Sequence, residues 1–205
     1  MWSDFRSKEL GILAVLAAVA GSEIVLAAGQ PIAGAPIETR PAAGVAAASA
    51  AAPAVPATAP AAAWERLKSL AGTWKGRSTK GWEETTSLRL IAAGSVLLET
   101  SQFADDPEGR NAMATVYYPD GGRLLLTHYC EAKNQPRLVA TGFADGGMTL
   151  VFSFLDGGNL PSRDGGHMDK IEMHFVDADH FTSRWTWYQD GRAAWLEEAR
   201  YERVR

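Results

Sequence analysis

His128 and Cys130 stand two residues apart in the run Leu126-Thr127-His128-Tyr129-Cys130-Glu131-Ala132-Lys133-Asn134-Gln135-Pro136-Arg137, and Cys130 is the single cysteine of the chain. An imidazole beside a thiol is the minimum for an activated nucleophile, because a nearby base or cation draws off the thiol proton. The same pair could ligate a soft metal, although a closed site needs at least one more ligand. A little further on, the amides of Asn134 and Gln135 can hydrogen-bond the polar end of a ligand. Arg137 can clamp a carboxylate or a phosphate. The competing reading is a polar hairpin in which Asn, Gln and Pro merely serve the turn. Turn, ligand-binding rim, and catalytic or metal pair all stand open for this segment. The chain has no Gly-x-Ser-x-Gly elbow, no phosphate loop and no His-Glu-x-x-His. An enzymatic role would therefore rest on His128 and Cys130, and binding is the first expectation.

The elements that must position these residues read as strands. Period-two segments rich in Val, Leu, Thr and aromatics run from Thr73 to Ser78, Glu83 to Ile91, Ser95 to Phe103, Ala112 to Tyr118 and Arg123 to Tyr129. They continue from Arg137 to Gly142, Met148 to Phe154, Lys170 to Val176, Phe181 to Tyr188 and Ala193 to Val204. Short Gly, Asp and Asn connections join most of them, with no crossover helix between, which excludes a parallel sheet. One short helix, Trp64 to Gly72, precedes them, with Trp64, Leu67 and Leu70 at helical spacing. The expected fold is all-β: about ten antiparallel strands, up and down, closed into a barrel whose interior is filled or holds one small ligand.

Strand parity then sorts the candidates. A turn at Pro119 to Gly122 places Tyr118 opposite Arg123 and Met113 opposite His128, with Met113, Thr115, Tyr117, Leu124, Leu126 and His128 facing inward. Trp185 and Trp187 share a face with Phe181 and Ser183, as core or a cavity wall would; the alternate face, with Arg184, is equally open as the lining of a polar interior. Trp195, Glu197, Ala199 and Tyr201 share a face of the last strand, and Glu197-Glu198 reads as a solvated pair with one carboxylate inward. The stretch Asp156 to Asp169, with four glycines and a proline, reads as an irregular loop carrying an exposed His167.

Upstream of the strands the composition changes. Residues 29–63 are almost entirely Ala, Pro, Gly and Val, with Pro53, Pro56 and Pro60 breaking any helix, so a disordered linker is expected there. Arg6 and Lys8 precede an apolar run from Leu10, and Val25-Leu26-Ala27 offers small residues for cleavage, so residues 1–28 read as a signal peptide. An uncleaved membrane anchor is the alternative, against which Glu23 weighs about 2.5–3.5 kcal/mol on insertion scales for acidic residues. Export to the periplasm or beyond follows from either. The 205 residues carry 20 Lys+Arg against 24 Asp+Glu, and no basic stripe marks a nucleic-acid partner.

Gly72-Thr73-Trp74, directly after the helix and at the start of the first strand, resembles the Gly-x-Trp signature of calycin barrels: lipocalins, fatty-acid-binding proteins and nitrobindins. The segment around His128 and the Trp/Tyr-rich C-terminal hairpin further resemble secreted bacterial lipocalin-like proteins of unestablished activity. The resemblance covers residues 64–205 and implies that Trp74 plugs the barrel base under an arginine of the last strand: Arg200, Arg203 or Arg205. It also implies a small, largely apolar ligand, bounded by Met113, Tyr117, His128, Asn134, Gln135, Arg137, Trp185 and Trp187. Nitrobindins hold haem through a late histidine, here His174 or His180. "GTWKGRS" departs from their Gly-x-Trp-x-Gly-x-Gly at Ser78, and parity turns His174 outward. No cofactor or metal is therefore the expectation, with haem, a His128/Cys130 enzyme and a structural envelope module as alternatives.

Overall fold

The computed structural model describes residues 59–205, so the expected signal peptide and nearly all of the linker lie outside the described residues. Ten strands form one closed antiparallel barrel in which each strand pairs with its neighbours in sequence and the first pairs with the last. They are β1 (Gly72–Ser78), β2 (Glu83–Ile91), β3 (Val96–Phe103), β4 (Met113–Asp120), β5 (Arg123–Tyr129), β6 (Gln135–Ala144), β7 (Thr149–Gly158), β8 (His167–Phe175), β9 (His180–Gln189) and β10 (Arg192–Arg203). Closure leaves no unpaired edge. The fold expected from period and turn chemistry is the one observed.

Helix α1 (Ala59–Lys68) begins five residues before the expected Trp64. Pro60 does not block it, because a proline in the first turn loses only an N–H that has no helical partner anyway. Ala63 and Leu67 are buried and, with Leu70 just beyond the helix, join the core at one end of the barrel. That core includes Trp74, Leu88, Leu97, Leu126, Leu150 and Phe152, all essentially without solvent exposure.

The base is tied by Arg203. Its guanidinium lies 4.1 Å over the Trp74 ring and donates to the carbonyls of Ser69 (2.9 Å), Ala71 (2.8 Å) and Ala178 (3.0 Å). Trp74 Nε1 donates to the Leu70 carbonyl at 2.8 Å. Gly72 sits at φ +144, and a Cβ there would stand 2.5 Å from Arg203 Nη1, so the glycine makes room for the arginine. Among the three arginines considered, Arg203 performs the packing; Arg200 and Arg205 are exposed.

Two expectations about the hairpins require correction. The β4–β5 turn is the two-residue Gly121-Gly122, both at positive φ, and Thr115 rather than Met113 stands opposite His128. Two glycines fit the left-handed turn that matches strand twist, so the ladder runs on to Asp120 and Arg123. The register moves by two, an even number, and the inward set is unchanged. In the second case β7 extends to Gly158 and β8 starts at His167, which shortens the irregular loop to residues 159–166. His167 is fully buried, not exposed. The β7–β8 ladder ends at Ser153–Lys170, and the His167 ring contacts Phe154 (4.5 Å between centroids) and Tyr188 (5.6 Å). Arg163 stacks 3.7 Å over Tyr188, reaches His167 Nε2 at 2.7 Å and pairs with Asp169 at 2.5 Å.

Candidate functional site

Away from the α1 end, the inward parity of several strands turns polar. In β2, Glu84 and Thr86 precede Leu88; in β3, Glu99 and Ser101 lie between Leu97 and Phe103. Thr115 and Tyr117 come from β4, His128 from β5, Ser183 from β9, and Glu197 and Tyr201 from β10. Gly76 of β1 is what lets Tyr201 and Glu84 meet: a Cβ there would fall 2.7 Å from the Tyr201 ring and 2.9 Å from Glu84 Cγ.

Neutral donors serve each carboxyl. Tyr201 Oη donates to Glu84 Oε1 at 2.6 Å, and Tyr117 Oη to Glu99 Oε2 at 2.8 Å. Trp82 Nε1 and Ser78 Oγ both donate to Glu197 Oε1 at 2.6 Å. None of these three carboxylates belongs to an ion pair among the described residues, although exposed pairs such as Arg77–Glu83 and Lys170–Glu172 are plentiful. Burial pushes the Glu99 carboxyl up to about 7 against the pull of the Tyr117 hydroxyl, and the neighbouring Glu84 adds to the rise. Burial also raises Glu84, opposed by nearby hydroxyls. Both tyrosine hydroxyls are held well above their ordinary range by burial and by these carboxylates.

Glu99, Thr115 and His128 lie in one row across three adjacent strands, Glu99 opposite Thr115 and Thr115 opposite His128. Thr115 Oγ1 is 3.0 Å from His128 Nδ1. Burial lowers the imidazole to about 4, so the ring is neutral at pH 7. Trp185, from β9 on another part of the wall, packs against that ring at 4.8 Å. His128 Nε2, Ser183 Oγ and Glu84 Oε2 are buried without a hydrogen-bond partner. Buried polar atoms are rarely left so, since each costs roughly 1–3 kcal/mol. Glu99 faces inward yet is only half-buried, whereas Leu97 and Tyr117 beside it are fully buried.

The rim at this end is aromatic. Trp187 stacks parallel to Trp195 at 5.8 Å, and Trp82 meets Phe103 edge-on at 5.4 Å. Met113, Trp185 and Trp187 are half-buried. These three, with Tyr117 and His128, take the inward positions expected of them.

The other expected site residues do not join them. Arg137 lies on the outer face, exposed, with its guanidinium bonded through two nitrogens to Asp156. Gln135 shares that outward parity. A bulge in β7, which skips Leu155 between Phe154 and Asp156, turns Asp156 to the outer face opposite Arg137, leaving that guanidinium nothing to clamp inside. Asn134 is buried, but its amide donates to the Gly166 carbonyl at 2.7 Å and ties the β5–β6 connection to the β7–β8 loop. Its Oδ1 has no partner. Cys130 follows the end of β5, and burial raises its thiol above the ordinary value, opposite to activation. His174 and His180 are exposed, bonded to Thr149 and Asp177 respectively, and neither faces the interior. Among the described residues no group of three or more His, Cys, Asp or Glu could hold a metal ion.

Sequence reasoning missed Glu84, Glu99, Tyr201 and Trp82. The available signal was a carboxylate alternating in phase with large apolar residues, as Glu99 does with Leu97 and Phe103.

No family model matches the chain, and no curated protein matches it. Among solved structures it is similar to a protein of unknown function from the DUF3598 family of Nostoc punctiforme, at 16% identity and a TM-score of 0.45. The match covers 67% of this chain and 49% of that one, so the chain spans about half the length of that neighbour.

Proposed function

We propose that this protein is an exported, calycin-like β-barrel that binds a small, largely apolar ligand in its interior. The observation that supports the reading is Glu99: an inward residue that keeps partial solvent exposure between fully buried neighbours argues for room beside it for an occupant. The unpartnered His128 Nε2 and Ser183 Oγ supply polar contacts for an occupant. The aromatic rim supplies apolar ones. The basic and apolar N-terminal run supports export. The Gly72–Trp74–Arg203 base supports the calycin likeness. An enzyme built on His128 and Cys130 gains no support, since the thiol is raised and the ring has no contact with it.

Seven tryptophans make the test direct. Monomeric octan-1-ol titrated into the full chain should change tryptophan emission saturably, with one site per chain. An emission that drifts linearly with octanol up to its solubility limit would count against interior binding.

A further inference from the structure

We infer that the interior is built for a small amphiphilic amine, its ammonium seated against Glu99 and its apolar body running past Trp185 to the tryptophan rim. This rests on the interior-ligand reading and names the ligand class.

The argument is one of charge and of donors. Glu84, Glu99 and Glu197 all take inward positions, from three different strands. Each is met by hydroxyl or indole donors alone. Arg203, the cation with inward parity, is held at the far end by three carbonyls and the Trp74 face. Arg137, Lys170 and Arg184 of the wall sit outside, in pairs with Asp156 and Glu172. Carboxyls enclosed without a counter-cation must hold a proton or meet a positive ligand, because an isolated buried charge is costly. A fatty acid would bring a further negative charge to this place and find no guanidinium, so the expected ligand differs from a carboxylate. Indole faces favour an ammonium as well as an alkyl or aromatic body, by roughly 0.5–2 kcal/mol for a cation over a ring. A primary amine also has N–H donors for acceptors now unpaired, Glu84 Oε2 among them and Ser183 Oγ by its lone pairs.

Proton linkage gives the inference its signature. The titratable groups near Glu99 are Glu84 from β2, Tyr117 from β4, His128 beyond Thr115 from β5, and Tyr201 from β10, with Glu197 of β10 beside Glu84. From β6 to β9 the inward residues at this level, such as Phe152, Ile171 and Ser183, carry no charge. An ammonium must displace the Glu99 proton below neutrality, while an alcohol need not.

The experiment compares octylamine, octan-1-ol and octanoate on the full chain by calorimetry at pH 5 and pH 7.5. Expected are at least tenfold tighter binding of the amine than of the alcohol at pH 7.5, loss of most of that advantage at pH 5, and a pH-independent alcohol. Glu99→Gln should bring amine and alcohol within about threefold of one another. Should that variant fail to fold, the wild-type pH dependence and proton release, read in two buffers of different ionisation enthalpy, decide alone. Equal binding of amine and alcohol, or preference for octanoate, would overturn the amine and leave the interior site standing. Silence from all three would overturn both.

Discussion

Glu99 and His128 are neighbours through Thr115, and burial pushes both toward their neutral forms from opposite sides. The consequences for stability have opposite signs. Glu99, raised to about 7 from an ordinary value near 4.5, keeps its proton in the folded chain after the unfolded chain has lost it. Its contribution is therefore full below about pH 4.5 and is lost as pH climbs to about 7. His128, lowered to about 4 from 6.5, stays neutral in the folded chain after the unfolded chain has protonated. Its contribution is full above pH 6.5 and is lost as pH falls through 4. Thermal unfolding between pH 4 and 8 checks this: Glu99→Gln should flatten the decline on the alkaline side, and His128→Gln the decline on the acid side. If neither variant changes the shape of the profile, the two groups are not held neutral.

At the scale of elements, the β7–β8 connection is the least regular part of the barrel and is held by one residue more than any other. Arg163 stacks on Phe154 and Tyr188, bonds His167 and pairs with Asp169. The Asn134 amide fixes the adjoining loop to Gly166, and the Asn159 amide returns the tie to the Lys133 carbonyl at 2.5 Å. Arg163→Ala should leave the barrel strands folded but loosen this corner. Hydrogen exchange is the measure: protection at residues 159–167 should fall at least tenfold, with β1, β2 and β10 unchanged. Uniform loss of protection would mean that the corner is coupled to global unfolding instead. Parity rules handled the regular hairpins well, because an even register error leaves the faces intact. They did not foresee Arg137 on the outer face beside Asp156, nor His167, which falls at the start of β8 and not in the expected exposed loop.

For the molecule as a whole, the joint that matters is between chain ends. β10 closes the barrel against β1, and Arg203 locks that closure to the α1–β1 connection and to the β8–β9 turn through the carbonyls of Ser69, Ala71 and Ala178. Arg203→Ala removes three charge-assisted hydrogen bonds and uncovers Trp74, and should cost about 2–3 kcal/mol in urea unfolding at unchanged m-value. Arg200→Ala, on the outer face of the same strand, should fall within about 0.5 kcal/mol of the parent. Similar losses from both would remove the special place given to Arg203.

The sequence by itself determined the strand number, the up-and-down order and which residues share a strand face, Met113 and Tyr117 with His128, and Trp185 with Trp187, because period-two patterning and glycine turns are local properties. It also pointed to an arginine over Trp74 through the Gly-x-Trp likeness. Only the tertiary structure decided which polar residues share an interior. Glu84, Glu99, Thr115, His128 and Tyr201 come from five strands, the last of them far along the chain, and barrel closure alone brings β10 against β1 and so near β2. Burial, too, belongs to the closed barrel: a glutamate in a strand is ordinary until the surrounding walls remove most of its water.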